Sequence, residues 1–169
     1  MACALLALSP AQSSLAAVST RDDGEIQRWL NQHANVTQSV EVPAARHRVV
    51  GDLDGDGRED IAVLYTLKPR NGRRGELRYL AGFKRLPAKT RDGRREPSSL
   101  SYQAHVLVSG PGAGEANRAT ILERSVVVEM LIFRPGDAAC CPTLPIKRRY
   151  RLTARGFSLI RADAVKRAR

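Results

Sequence analysis

Aromatic side chains are scarce in this chain: one Trp, four Tyr and three Phe make up 5% of its 169 residues. A protein that reads nucleic acid needs a denser aromatic motif among its basic residues, so the scarcity weighs against that partner. Cysteine is scarcer still, with three in all. Cys3 stands alone, while Cys140 and Cys141 are adjacent. Structural zinc takes four ligands at wider spacing, so the adjacent pair is no zinc site. The histidines, His33, His47 and His105, are isolated, and none sits beside a nucleophile in a G-x-S-x-G elbow. Each therefore reads as a structural or surface residue. The glycine-rich run Ser109-Gly-Pro-Gly-Ala-Gly114 lacks the Lys-Ser/Thr of a phosphate loop and the glycine spacing of a dinucleotide turn. No apolar stretch reaches the ~20 residues that span a bilayer. No catalytic set stands out, and a binding or structural role is favoured over an enzyme.

What the chain has in excess is arginine. Lys and Arg number 28 against 17 Asp and Glu, giving a formal charge of +11; only five of the 28 are Lys. Such a surface attracts anionic lipid head groups, acidic polysaccharide or nucleic acid, depending on compartment. Arg70, Arg73, Arg74, Arg91, Arg94 and Arg95 fall in two loops around one short strand and are the candidate anionic contact. Apolar content of 43% is ordinary for a globular protein. The length suits one domain with a real core and is short for two.

The compartment is suggested by the first residues. Met1 to Ala17 carries no charge, and its apolar run followed by Ser-Ser-Leu-Ala-Ala resembles the back half of a secretory signal peptide. Residues 1–19 are expected to be that signal and 20–169 a single calcium-binding, β-rich domain. The usual positive n-region is missing, so the true start codon is expected upstream. Export would place the protein in the periplasm or outside the cell. There Cys140 and Cys141 would oxidise, with each other or with another chain. No transmembrane segment is expected.

The most specific stretch is Asp52-Leu-Asp-Gly-Asp-Gly-Arg-Glu-Asp60. Aspartates stand at loop positions 1, 3, 5 and 9, and glycines at 4 and 6. Four carboxylates at that spacing repel one another unless a cation sits among them. Calcium fits best, because it accepts six to eight oxygens at ~2.3–2.6 Å in a flexible shell. Asp52, Asp54, Asp56 and Asp60 are the candidate ligands, with the backbone carbonyl of Arg58 as a fifth. An EF-hand is excluded: position 12 is Val63 rather than Glu, and the flanks His47-Arg-Val-Val50 and Ile61-Ala-Val-Leu-Tyr65 are β-prone. The words Gly51-Asp-Leu-Asp-Gly-Asp-Gly-Arg-Glu-Asp-Ile-Ala-Val63 resemble the calcium loops of FG-GAP and VCBS-type repeats, in which an apolar strand enters the loop and another leaves it. The resemblance covers about twenty of the 169 residues and occurs once, so it implies a local site and not a β-propeller. Together with Asp137-Ala-Ala-Cys-Cys-Pro-Thr143 it resembles small exported bacterial proteins, without implying an activity.

Around this loop the hydrophobic period changes once. Thr20 with Asp23 reads as a capping box, and Ile26, Trp29, Leu30, His33 and Ala34 share one helical stripe, predicting a helix over about 21–34 closed by Asn35. From Val36 onward the pattern is strand-like, with Lys84 to Ser99 expected to be a long basic loop. Tyr79 and Tyr150, next to arginines, are offered as a platform that could stack on a sugar or base. Eight or nine strands without crossover helices predict a mainly β (α+β) fold: a curved antiparallel sheet or open barrel, with the N-terminal helix against it. The functional expectation is an exported calcium-binding module meeting anionic envelope lipid or acidic glycan. A calcium-dependent envelope hydrolase and a basic nucleic-acid-binding protein are the alternatives.

Overall fold

The computed structural model describes residues 11–71, 75–91 and 94–164. The helix α1 spans Ala11–Val36 and is followed only by strands: β1 Ser39–Glu41, β2 His47–Gly51, β3 Asp60–Pro69, β4 Leu77–Leu86, β5 Lys89–Arg91, β6 Arg94–Glu96, β7 Ser99–Ser109, β8 Glu115–Leu122, β9 Ser125–Ile132, β10 Leu144–Thr153 and β11 Gly156–Ala164. The fold is mainly β and antiparallel, as the periodicity predicts. Apart from a small β5–β6 ribbon, its strands divide between two sheets that do not close into a barrel. One has the order β1-β3-β4-β7, with β2 also paired to β3; the other has the order β11-β10-β9-β8.

Three layers result, and β3 belongs to two cores at once. Its residues Ile61 to Tyr65 and Leu67 are wholly buried. Ala62 and Leu64 point at the second sheet, packing with Leu80, Val108, Ala119, Val126, Val128, Met130 and Tyr150. Ile61, Val63, Tyr65 and Leu67 point the other way, against Ile26, Leu30 and Ala34 of α1. The strand-like alternation has sent its two residue sets to opposite faces, and both faces are covered. β4 is covered on both faces in the same way: Leu80 faces the second sheet while Ala81 and Phe83 face the helix. Burying Ile26 and Leu30 contributes roughly 1.5–3 kcal/mol each and holds the helix in place.

Two element boundaries differ from expectation. The helix begins before Thr20, so Thr20 and Asp23 are not its cap, and it runs on through Asn35 to Val36. Gln38 takes the left-handed conformation instead of Asn35, with φ 51°, and Thr37 closes the end by donating its Oγ1 to the His33 carbonyl at 2.8 Å. The expected basic loop also contains structure: β4 extends to Leu86, β5 and β6 form a two-stranded ribbon, and β7 begins at Ser99. Lys89 faces Glu96 across that ribbon, an opposite-charge pair of the kind that stabilises antiparallel strands. Of the expected signal 1–19, residues 1–10 with Cys3 lie outside the described residues, as do Arg73 and Arg74, while 11–19 form the first part of α1. Among the described residues no helix is long and apolar enough to cross a membrane.

Candidate metal centre

The turn from β2 to β3 is built from its own carboxylates. Asp52 accepts the Gly55 amide on Oδ1 at 2.5 Å and the Gly57 amide on Oδ2 at 3.0 Å. Asp54 Oδ1 accepts the Asp56 amide at 3.1 Å. The winding puts Gly55 and Gly57 at φ +87° and +79°, a region that a side chain with a Cβ resists. At Gly55 space adds to the demand, because a Cβ there would collide with the Arg124 guanidinium arriving from the β8–β9 turn. Leu53 is the apolar plug: it is buried in the core between the sheets and fixes the loop to the body.

Asp60 joins the loop to the sheet. It starts β3 and is wholly buried. Its Oδ2 accepts the Leu53 amide at 2.9 Å and its Oδ1 accepts the Arg85 amide at 2.8 Å. Asp52, Asp54 and Asp60 thereby each offer one carboxylate oxygen within 4.8 Å of the others. Asp56 is not in this trio. Its Oδ1 accepts the Arg58 amide at 2.8 Å and its Oδ2 the Arg58 guanidinium at 2.5 Å.

Basic residues from neighbouring strands balance the acids. Lys84 Nζ lies 2.8 Å from Asp54 Oδ2. That bond holds the Asp54 carboxyl below its ordinary 3.8 and raises the Lys84 ammonium. Asp52 is also lowered: burial pushes it up, but the Gly55 and Gly57 amides outweigh that. Asp60 moves the other way, because its burial outweighs the amides of Arg85 and Leu53. Asp60 is thus the one carboxyl of the trio whose ionised form its surroundings disfavour. Lys84→Met removes a contact cation worth ~1 kcal/mol in a solvated setting. It should raise the affinity of the loop for a divalent cation roughly fivefold, read by calorimetry. An unchanged or lower affinity would show that Lys84 does not compete.

Arg85 ties this loop to the helix. Its guanidinium donates to both oxygens of the buried Asp22, at 3.2 and 2.6 Å, and its Nε donates to the Glu59 carbonyl at 2.9 Å. Arg48 approaches Asp22 as well, at 3.7 Å. These residues carry no motif in the sequence. The pairing of β3 with β4 brings Arg85 to the loop, and the docking of α1 brings Asp22.

A second constellation lies between α1 and the first sheet. Five of the eight aromatic residues, Trp29, Tyr65, Tyr79, Phe83 and Tyr102, gather there with His33 and His105. The two imidazole centroids are 4.3 Å apart, so these histidines are not isolated. His33 is lowered to about 4 by burial and by His105; His105 is lowered by burial. His47 lies at the end of β2 away from the loop. Tyr79 and Tyr150 do not form a platform: Tyr79 is in this cluster, and Tyr150 is buried between the sheets.

At the far end of the second sheet, Cys140 and Cys141 are joined to each other. Their turn is held independently by Asp137, whose Oδ2 accepts the amides of Arg134 and Thr143 at 2.7 and 3.0 Å. Mass spectrometry without reductant should find no alkylatable thiol at either position, and reduction should expose two with little change in melting temperature. Quantitative alkylation of unreduced protein would refute the bond.

Comparison with known proteins gives no match to a family model, to a curated protein or to a solved structure. What stands is a class: a mainly β domain of two antiparallel sheets and one helix, carrying an acidic turn at a sheet edge.

Proposed function

We propose that the protein is an exported calcium-binding domain in which the metal has a structural role. The convergence of Asp52, Asp54 and Asp60 within 4.8 Å carries this reading. An all-oxygen donor set suits a hard cation, and calcium, whose shell is flexible, suits such a dedicated protein loop better than octahedral magnesium does. In the bound form Asp56 would turn from Arg58 toward the ion, with the Arg58 carbonyl beside it. The cation would relieve the repulsion among the acids and reward the burial of Asp60. A structural role is favoured over hydrolysis because several carboxylates of one tight turn leave few coordination positions for a substrate.

The adjacent cysteines and the uncharged opening segment support export to an oxidising compartment. The excess of arginine supports an anionic partner, envelope lipid or acidic glycan, over nucleic acid. Of the six candidate arginines, Arg91, Arg94 and Arg95 stand on the β5–β6 ribbon, and Arg70 follows β3. Calorimetric titration of the metal-stripped protein with calcium, and then with magnesium, tests the reading. One calcium per chain, with much weaker magnesium binding, is expected. No heat with either ion would overturn it.

A further inference from the structure

His33 comes from α1 and His105 from β7, 72 residues apart in sequence, and the fold sets their rings 4.3 Å apart. Each imidazole is oriented by a tyrosine. The Tyr65 hydroxyl is 2.8 Å from His33 Nδ1, and the Tyr102 hydroxyl is 2.6 Å from His105 Nδ1. Trp29 braces both sides, stacking on His33 at 5.2 Å and on Tyr102 at 4.4 Å. Both Nδ1 atoms are therefore engaged. Among the described residues no hydrogen bond reaches either Nε2, and His105 stands at the surface.

We propose that His33 and His105 bind a first-row transition-metal ion, copper(II) above all, through their Nε2 atoms. Imidazole suits borderline ions as carboxylate suits calcium, and copper(II) heads the affinity order for nitrogen ligands. Two imidazoles bound cis through metal–nitrogen bonds of ~2.0 Å place their ring centres ~4.5 Å apart, close to the observed spacing. A metal on Nε2 requires the proton on Nδ1, which then donates to the tyrosine oxygen. This is the usual arrangement behind a metal-bound histidine, where an outer partner fixes the tautomer and the ring plane. Water completes the coordination, so the ion is exchangeable. The site is separate from the acidic turn: Tyr65 lies five residues along β3 from Asp60, ~17 Å at strand rise.

The test uses copper(II) chloride and the Cys3→Ser chain with its Cys140–Cys141 bond intact, so that no free thiol competes. Trp29, the single tryptophan, reports binding through fluorescence quenching. Quenching complete at one equivalent is expected, with electron paramagnetic resonance showing nitrogen ligation. His105→Phe keeps a ring in place and should weaken binding at least tenfold. His33→Gln should do the same, whereas Asp54→Ala should leave copper binding unchanged. Undiminished quenching in His105→Phe, or quenching only at millimolar copper, would overturn the proposal. If either histidine variant fails to fold, the spectrum of the parent decides: oxygen-only ligation refutes the site.

Discussion

Replacing Arg85 by alanine should destabilise the protein by about 3–5 kcal/mol, the cost of leaving a buried charge without its partner. Asp22 is 2% exposed and takes both ends of the Arg85 guanidinium. After the substitution only Arg48 remains near it, at 3.7 Å. Glu59 loses a donor to its carbonyl at the same time. For a chain of this size the melting temperature should fall by roughly 10 °C. Removing both charges is a milder change than removing one, because no buried ion is then left unpaired. Asp22→Leu with Arg85→Leu should therefore lie closer to the parent than Arg85→Ala does. A loss below about 1 kcal/mol for the single variant would mean that the pair is screened like a surface ion pair.

Calcium at a hundredfold excess over its dissociation constant should stabilise the metal-stripped protein by ~2.7 kcal/mol, raising the melting temperature by about 5–10 °C. Asp54→Ala should abolish that response. Without calcium the variant should melt close to the parent, since Asp54 meets only the part-exposed Lys84 and the exposed Asp56 amide, and such an ion pair contributes ~0–1 kcal/mol. The pH dependence follows from Asp60. Its carboxyl is raised above 3.8, so the metal-free folded chain holds that proton more tightly than the unfolded chain does. Ionising Asp60 then subtracts stability as pH rises through the raised value. Calcium requires the ionised form, so its stabilising effect should be full at neutral pH and fade as pH falls toward that value. Identical melts in calcium and in chelator would sink the metal reading.

The sequence makes the elements legible and leaves their partners dark. The stripe of Ile26, Leu30 and Ala34 is the buried face of α1 because helical period alone decides it. The run of strands after Val36 is legible likewise, because the two-residue alternation marks it. The ribbon was hidden because Lys89–Glu96 has no apolar alternation; Asp92-Gly93, a two-residue hairpin signal, was its one trace. The carboxylate spacing of Asp52, Asp54 and Asp60 was readable because all three belong to one turn. Asp56 differs because Arg58, two residues on, is a nearer partner than the trio. Lys84, Arg85, Arg124 and Asp22 could not be read, since strand pairing and helix docking alone bring them to the loop. The same holds for His33 and His105, whose separation in sequence conceals the contact.

The double burial of β3 bears on how the molecule opens. A strand whose two faces belong to different cores is not released by loosening either one. Undocking α1 leaves Ala62 and Leu64 clamped by the second sheet, and parting the sheets leaves Ile61, Val63 and Tyr65 under the helix. Its amides can therefore reach solvent only when the whole fold is lost, while the ribbon and the Cys140 turn exchange through small local openings. Along the chain β3 also has its partners close by, β2 before it and β4 after it, so their loops close at little entropic cost. The contacts of β2 with β8 and of β7 with β11 span far longer stretches of chain. Both meanders, β2–β3–β4 and β8–β9–β10–β11, pair strands that are neighbours in the chain, so local pairing shapes the acidic turn within its own meander while the contacts between the sheets carry the larger closure entropy.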